Sequence, residues 1–368
     1  MRLVRIDRCE SGIKLGKSIY SENGKILLAK GTELTNSFMK RLQNLGIHTI
    51  YIEDKESEGI DVVDSIPPEL LNEATNVITE GLNSMSDGHS IKPTVQGMMK
   101  TEKAIKSFQS IFKDLLASLT ENRTVLNLLA TTKIHENHVY THSLNVTIYA
   151  CQLALENKLP QKQIEEIGLG ALLHDLGKIF VKPEVLNKPD KLTNSEFELM
   201  KSHSELGFDI LRKVPNIPLV VAHCALQHHE RLDGKGYPRG IREKDIHPYA
   251  KILSVADVFD AVTSHRVYRN AMLPHQGMEL LYSGSGTQFD IRQVKLFKKC
   301  IAIYPQGLTV TLNDGRVGIV SKYHFHSVGR PIIRIIRDEE NQPVTPYEVD
   351  LSVNGNLTVE IVKADALL

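Results

Sequence analysis

The sequence predicts a mainly α-helical protein with a small α/β module at its start and a small β-domain at its end. In the middle of the chain, apolar residues recur at the spacing of amphipathic helices. Short alternating runs bounded by turn signals occupy the first 55 residues and the part after Gly307. Eleven of the fifteen histidines fall between His135 and His275, which concentrates potential metal ligands in the helical part.

Changes of pattern divide the 368 residues into four parts, and a chain of this length has room for two or three domains. We expect a small α/β or β module, structural, dimerising or regulatory, then a helical connector, a helical domain that carries the histidines, and a small β-domain. The expected bounds are 1–60, 61–130, 131–304 and 305–368.

Composition narrows the choice of partners and compartment. Lys plus Arg and Asp plus Glu both number 44, so no net field draws the chain to a nucleic acid polymer or an anionic membrane. The four cysteines are far apart and form no CxxC, which is typical of reduced thiols in the cytosol. No apolar run approaches the ~20 residues of a membrane span. We therefore expect a cytoplasmic protein without a membrane span.

Local signals place elements in the first two parts. Residues 17–20 and 25–28 flank a Ser-Glu-Asn-Gly sequence, and Asn-Gly favours a hairpin turn. Thr35 or Asn36 can cap a short helix that ends at Gly46, before an alternating strand at 47–52. Residues 53–65 are charged and weakly patterned, which predicts a linker. Two amphipathic helices follow, the first opened by Pro67-Pro68, and we expect them to pack onto the helical domain.

The helical domain is organised around His174 and Asp175, which end an apolar run, with Lys178 one turn later. Imidazole and carboxylate together suit a divalent ion such as Mn, Fe or Zn. Adjacent residues on a helix point about 100° apart, so the two can share an ion only where the helix ends or in a bridging role.

Further candidate ligands lie in or beside other predicted helices, so several helices can point side chains at one centre, as in helical di-metal proteins. They are His142, His203, His228, His229 and Asp257.

His174-Asp175, followed by His-His-Glu-Arg-Leu-Asp-Gly-Lys-Gly-Tyr-Pro at 228–238, resembles the HD-GYP family, a branch of the HD-domain metallo-phosphohydrolases. The resemblance covers 131–304 and implies a helical HD-type domain. It implies a bridging role for Asp175, and for Lys178 a place near the scissile phosphate. It implies metal ligands at His142, His174, Asp175, His203, His228, His229 and Asp257.

The number of metal ions stays open. Some relatives carry a glutamate that helps to hold a third metal where this chain has His138, four residues before His142. The resemblance therefore implies two divalent ions, or three if His138 contributes, with Fe or Mn preferred. Asp260, at i+3 from Asp257, is expected to orient a neighbouring ligand.

The resemblance also implies substrate contacts by Lys178, Tyr237, Arg266 and Arg269. The two arginines lie at i, i+3, which suits phosphate oxygens. Glycines and a proline around Tyr237 permit the tight turns that bring this loop close to a ligand.

The last part of the chain predicts strands at 309–312 and 317–320 around an Asn-Asp-Gly turn. Further strands are predicted at 332–336 and 357–362. His324 and His326 lie in this part and receive no role.

The resemblance implies hydrolysis of cyclic di-GMP to pGpG, and onward to GMP, by a water activated at a binuclear or trinuclear centre. Alternatives are hydrolysis of another cyclic dinucleotide, such as cyclic GMP-AMP, or a receptor that binds cyclic di-GMP without turnover. A homodimer and a protein partner at the loop around Tyr237 are also open. The complete set of ligands favours the enzyme.

Overall fold

The computed structural model describes residues 1–21, 25–86, 95–121, 126, 138–186, 188, 190–264, 271–324 and 327–365. Within these ranges, the structure describes only the backbone of six residues: Ser86, Val95, Gln96, Met98, His138 and Val139. The described helices are α1 (Asn36–Asn44), α2 (Pro68–Ser86), α3 (Val95–Glu121), α4 (His138–Glu156), α5 (Gln161–Leu173), α6 (Pro183–Leu186), α7 (Asn194–Lys201), α8 (His203–Leu211), α9 (Leu219–Gln227), α10 (Pro248–Thr263), α11 (Pro274–Ser283) and α12 (Ile291–Cys300). The described strands are β1 (Arg2–Arg5), β2 (Lys14–Leu15), β3 (Ile19–Tyr20), β4 (Ile26–Leu28), β5 (Thr49–Glu53), β6 (Thr309–Leu312), β7 (Val317–Lys322), β8 (Ile332–Arg337), β9 (Pro343–Asp350) and β10 (Ile361–Asp365).

The first module contains an antiparallel sheet in the order β1-β5-β2, with β3 and β4 forming a separate hairpin. Thr35 caps α1 by accepting a hydrogen bond from the Phe38 amide at 3.2 Å, and Gly46 follows the helix with φ +78°, as the sequence predicts. The predicted turn at 22–24 lies outside the described residues. Strand β1 was not predicted.

The segment predicted as a linker, 53–65, joins β5 to α2 without a helix or strand after Glu53, but it is packed against the β-domain. Ile60 is buried against Ile319 and Ile336 of the last sheet, and Val62 enters that sheet's apolar core. Such single apolar residues in a polar run show no periodicity, yet both are buried against strands of the last sheet. The segment therefore packs the first module against the β-domain.

The β-domain is an antiparallel sheet in the order β10-β6-β7-β8-β9. Strand β9 was not predicted, because nearly all of its residues are at least partly exposed and polar side chains mask the alternation. The predicted strand at 357–362 is displaced, since β10 begins only at Ile361. Leu3 forms a parallel bridge to Leu308, and the Tyr51 hydroxyl donates to the Gln306 carbonyl at 3.2 Å, so the first and last units are in contact.

The helices of the connector share one apolar core with the domain that follows, as their amphipathic patterns predict. Phe112 of α3 packs against Gly168 of α5, where any β-carbon would overlap the phenyl ring. The connector therefore rests directly on the helix that leads to His174 and Asp175. No helix within the described ranges is long and apolar enough to cross a membrane.

Candidate metal centre

His174 and Asp175 lie where α5 ends. The helix is buried over its last turns, and Asp175 departs from helical geometry at φ −97° and ψ 8° before a 3-10 helix at Leu176–Phe180. This change of direction brings His174 Nε2 to 3.3 Å from Asp175 Oδ2. The geometric condition for two adjacent residues to share an ion is therefore met.

The first group of donors consists of His142, His174 and Asp175, all buried, with one donor atom from each within 4.8 Å of the others. His142 Nε2 lies 3.6 Å from Asp175 Oδ2. Asp257 adjoins the group, with its Oδ1 3.0 Å from His142 Nε2 and 3.9 Å from His174 Nε2. Helices α4, α5 and α10 thus contribute to one cluster.

The second group consists of Asp175, His203, His228 and His229. Asp175 Oδ1 lies 3.4 Å from His203 Nε2 and 3.8 Å from His228 Nε2. Asp175 therefore turns one carboxylate oxygen to each group. Asp257 spans them in the same way, because its Oδ2 lies 3.8 Å from His229 Nδ1.

The donor atoms fit a cationic occupant. His174, His203 and His228 each direct Nδ1 at a backbone carbonyl, at 2.6, 2.5 and 2.9 Å, which assigns the proton to Nδ1 and leaves a lone pair on Nε2. The Nε2 atoms of His203 and His228 then face each other at 3.3 Å as two acceptors. Among the described residues, His174 Nε2 and Asp175 Oδ1 are buried without a hydrogen-bond partner. Divalent metal ions would satisfy all of these atoms.

Electrostatics keep most of the donors in the forms that ligate metals. Burial acts to raise the pKa of Asp175, but His174 and Lys178 outweigh it and hold that pKa well below its ordinary value. Burial lowers the pKa of His229 to about 3 and that of His228 well below its ordinary value. A charged carboxylate beside neutral imidazoles is the state that binds metal without first losing protons.

Asp260 supports the centre through a hydrogen bond to one of its donors, His142. Its Oδ2 lies 2.7 Å from His142 Nδ1, and its Oδ1 accepts from Asn145 Nδ2 at 2.9 Å and from Ser264 Oγ at 3.0 Å. Burial acts to lower the pKa of His142, but hydrogen bonds to Asp257 and Asp260 raise it to about 9. Metal binding at His142 therefore releases a proton, and Asp260 fixes the ring that accepts the metal.

We expect Asp260→Asn to weaken metal binding by about 10- to 100-fold. The aspartate accepts from three donors, so the amide group of asparagine would have to face one of them. Competition with a chelator of known affinity measures the effect. Ser264→Ala, which removes only one of the three hydrogen bonds, is the graded control and should change affinity little. Equal affinity in Asp260→Asn and the wild type would contradict the supporting role.

Lys178 lies inside the centre, where its Nζ is 2.5 Å from Asp175 Oδ2. Tyr237 covers the second group of donors, with its ring centroid 4.6 Å from that of His229. The loop that carries Tyr237 is closely fitted: a β-carbon on Gly236 would lie 2.5 Å from Glu230 Cα and from the His229 carbonyl oxygen. Glu230 fastens the same loop by accepting backbone hydrogen bonds from residues 239 and 241.

A cleft of about 300 Å³ opens from the second group of donors. Sequence reasoning missed two residues that line it, Phe197 and Lys201 of α7. Their i, i+4 spacing shortly before His203 was the available signal. The structure thus brings together every predicted ligand except His138, whose side chain, like Arg266 and Arg269, lies outside the described residues.

Comparison with known proteins gives two family matches. Residues 123–292 match the family described as HD domain, and residues 309–367 match a KOW domain associated with HD domain. The first match includes all the described donors of the centre. The second covers the described sheet from β6 to β10.

Among curated proteins, a cyclic di-GMP phosphodiesterase of Pseudomonas aeruginosa is 34% identical over 66% of this chain and 58% of its own length. A cyclic di-GMP phosphodiesterase of Thermotoga maritima is 36% identical over 57% of this chain and 56% of its own. A 3'3'-cGAMP-specific phosphodiesterase of Vibrio cholerae is 32% identical over 48% of this chain and 34% of its own. The chain therefore spans less than two thirds of the length of these relatives.

Proposed function

We propose that this chain, which carries an HD domain of the HD-GYP type, is a metal-dependent phosphodiesterase that hydrolyses cyclic di-GMP. The observation that carries the proposal is the sharing of Asp175 between two adjoining groups of histidine and carboxylate donors. Two-metal sites of this kind serve phosphoester hydrolysis in many enzymes. The names of the relatives supply the substrate class.

In this proposal His142, His174 and Asp257 would hold one divalent ion, His203, His228 and His229 would hold the other, and Asp175 would contribute to both. Fe(II) or Mn(II) suits such mixed ligands, and His138 would contribute to a third ion if one binds. Bound ions would neutralise phosphate charge and lower the pKa of a water, which supplies the nucleophile.

The remaining residues act on the substrate. The Lys178 ammonium group, held against Asp175, offers donors and positive charge to a phosphate oxygen as charge develops there. Tyr237 closes one side of the cleft and restricts water around the reacting phosphate. Arg266 and Arg269 are proposed to bind further phosphate oxygens. Cleavage of one diester bond would give pGpG, and cleavage of the second would give GMP.

Turnover tests the proposal. The protein is prepared anaerobically, loaded separately with Fe(II) and Mn(II), and given cyclic di-GMP or cyclic GMP-AMP, with products separated by chromatography. We expect pGpG or GMP from cyclic di-GMP, absent in Asp175→Ala. Faster turnover of cyclic GMP-AMP would assign that substrate instead. Tight binding without product, despite confirmed metal loading, would make the chain a receptor.

Three further predictions of the sequence go with this function. We propose a cytoplasmic location, where an intracellular second messenger would be met, a homodimer, and a protein partner at the loop 231–238. Sedimentation of the purified protein would test the dimer.

A further inference from the structure

Helix α7 presents an aromatic side chain, Phe197, that belongs to none of the apolar cores of the described residues. None of its eight described residues is buried, and Phe197 is 45% exposed. The helix is instead held at its start, where Thr193 and Glu196 form a capping box and Lys188 pairs with Glu196 at 2.7 Å. Phe197 therefore lies outside the buried core.

Phe197 lies at the mouth of the cleft that leads to the metal centre. Its ring centroid is 6.3 Å from that of Tyr237, and the two ring planes meet at 78°. Lys201 Nζ lies 4.8 Å from the centroid of Phe197 and 5.8 Å from that of Tyr237. Lys201 Nζ also pairs with Glu198 Oε1, at 2.7 Å. Lys201 thus holds the phenyl ring in place by a cation–π contact.

The chemistry of the cleft changes from its floor to this rim. The floor includes the imidazoles of His228, which is 2% exposed, and His229, both of which belong to the proposed phosphate-binding centre. In a nucleotide the base is joined to the phosphate through the sugar, so a phosphate at the floor directs its base outward. An exposed aromatic ring at that point offers what nucleobases bind most generally, a π-face for stacking.

We propose that Phe197 stacks on one purine base of the cyclic dinucleotide, and that Lys201 positions its ring. This inference rests on the proposed function, because it takes the ligand to be a cyclic dinucleotide. It assigns substrate binding to a residue outside the metal ligands and the loop of Tyr237. In this role Phe197 contributes to the affinity for the cyclic dinucleotide, and the metal centre carries out the chemical step.

The absence of tryptophan from the sequence allows a direct optical test. Phe197→Trp would be the sole tryptophan of the chain and keeps an aromatic face. The matched control is Leu199→Trp, since Leu199 is 51% exposed on the same helix but does not line the cleft. Both metal-loaded variants are titrated with a hydrolysis-resistant phosphorothioate analogue of cyclic di-GMP. We expect saturable quenching for Phe197→Trp alone; equal quenching in both would overturn the proposal.

Steady-state kinetics provide a second, independent readout. We expect Phe197→Ala to raise the Kd of the analogue and the KM of cyclic di-GMP by about 5- to 150-fold, the effect of losing one stacked base. The kcat should stay within about twofold, because the phosphate still meets an intact centre. Leu199→Ala should change none of these constants, and metal content and melting temperature should match the wild type in both variants.

The outcomes separate this inference from the proposed function. If the wild type turns over cyclic di-GMP and Phe197→Ala has unchanged Kd and KM, the stacking role is wrong and the phosphodiesterase stands. If Phe197→Ala lowers kcat with an unchanged KM, the ring acts on the centre and the stacking role is also wrong. If the wild type neither binds nor hydrolyses any cyclic dinucleotide, both proposals fail.

Discussion

Asp175→Ala is expected to lose both metal ions together and to lower turnover of cyclic di-GMP by about 10³-fold or more. Among the described residues, Asp175 alone belongs to both groups of donors, with Oδ2 facing His174 and Oδ1 facing His203. Its removal takes a donor atom from each group and the one negative charge that the two groups share. The substitution also leaves Lys178, whose side chain is 19% exposed, without the carboxylate beside it. An unpaired cation there opposes metal binding further.

Metal stoichiometry measured by elemental analysis, beside the turnover assay, tests this expectation. The matched control is Asp209→Asn, because Asp209 lies on α8 with His203 but is 51% exposed and pairs with Arg212. The control should keep both ions and full turnover, since an exposed pair contributes little to stability. Retention of one full equivalent of metal by Asp175→Ala would contradict the bridging role.

The residues that the resemblance proposes as ligands are the donors that the structure brings together, because they lie in short motifs that can be recognised locally. The position of His174 and Asp175 at a helix end follows from the apolar run before them, and the structure shows that end. What could not be predicted was how one carboxylate divides its oxygens between two groups, because that depends on helices separated by many residues. Phe197 was missed for a related reason: an aromatic residue on a helix is usually part of the core, and only the packing shows that this one is not.

The secondary structure was predicted for the helices with a clear apolar face but not for every strand. Helices with an apolar face, such as α2 and α3, were anticipated because burial of that face imposes periodicity. Strand β9 and the packed segment around Ile60 were not, because their neighbours in space are remote in sequence. Strand β9 and the segment around Ile60 take their backbone conformation from contacts with strands of the last sheet. Their sequences therefore show almost no apolar periodicity.

Gly177→Ala is the substitution with the largest effect expected from a single methyl group. A β-carbon at this position would overlap the carbonyl oxygen of His203 and lie 2.8 Å from the Gly207 amide nitrogen. Both obstacles are backbone atoms of α8, which cannot rotate away. The helix that carries His203 would have to move, at a cost of about 1–3 kcal/mol in the free energy of unfolding. Since a shift of about 1 Å can lower a rate 10²-fold, we expect turnover to fall by about that factor.

Whether a Gly-to-Ala substitution lowers or raises the stability of the protein depends on whether the added β-carbon meets a clash. Gly-to-Ala replacement at a compatible position stabilises a protein by about 0.4–1 kcal/mol, because it restricts the unfolded chain. Gly355 provides that case: it also lies in a short 3-10 helix, and a β-carbon there meets nothing within 4 Å. We therefore expect Gly355→Ala to keep or raise the melting temperature, and Gly177→Ala to lower both the melting temperature and metal affinity. Equal melting temperatures and metal affinities in the two variants would show that His203 does not depend on this close approach of Gly177 to α8.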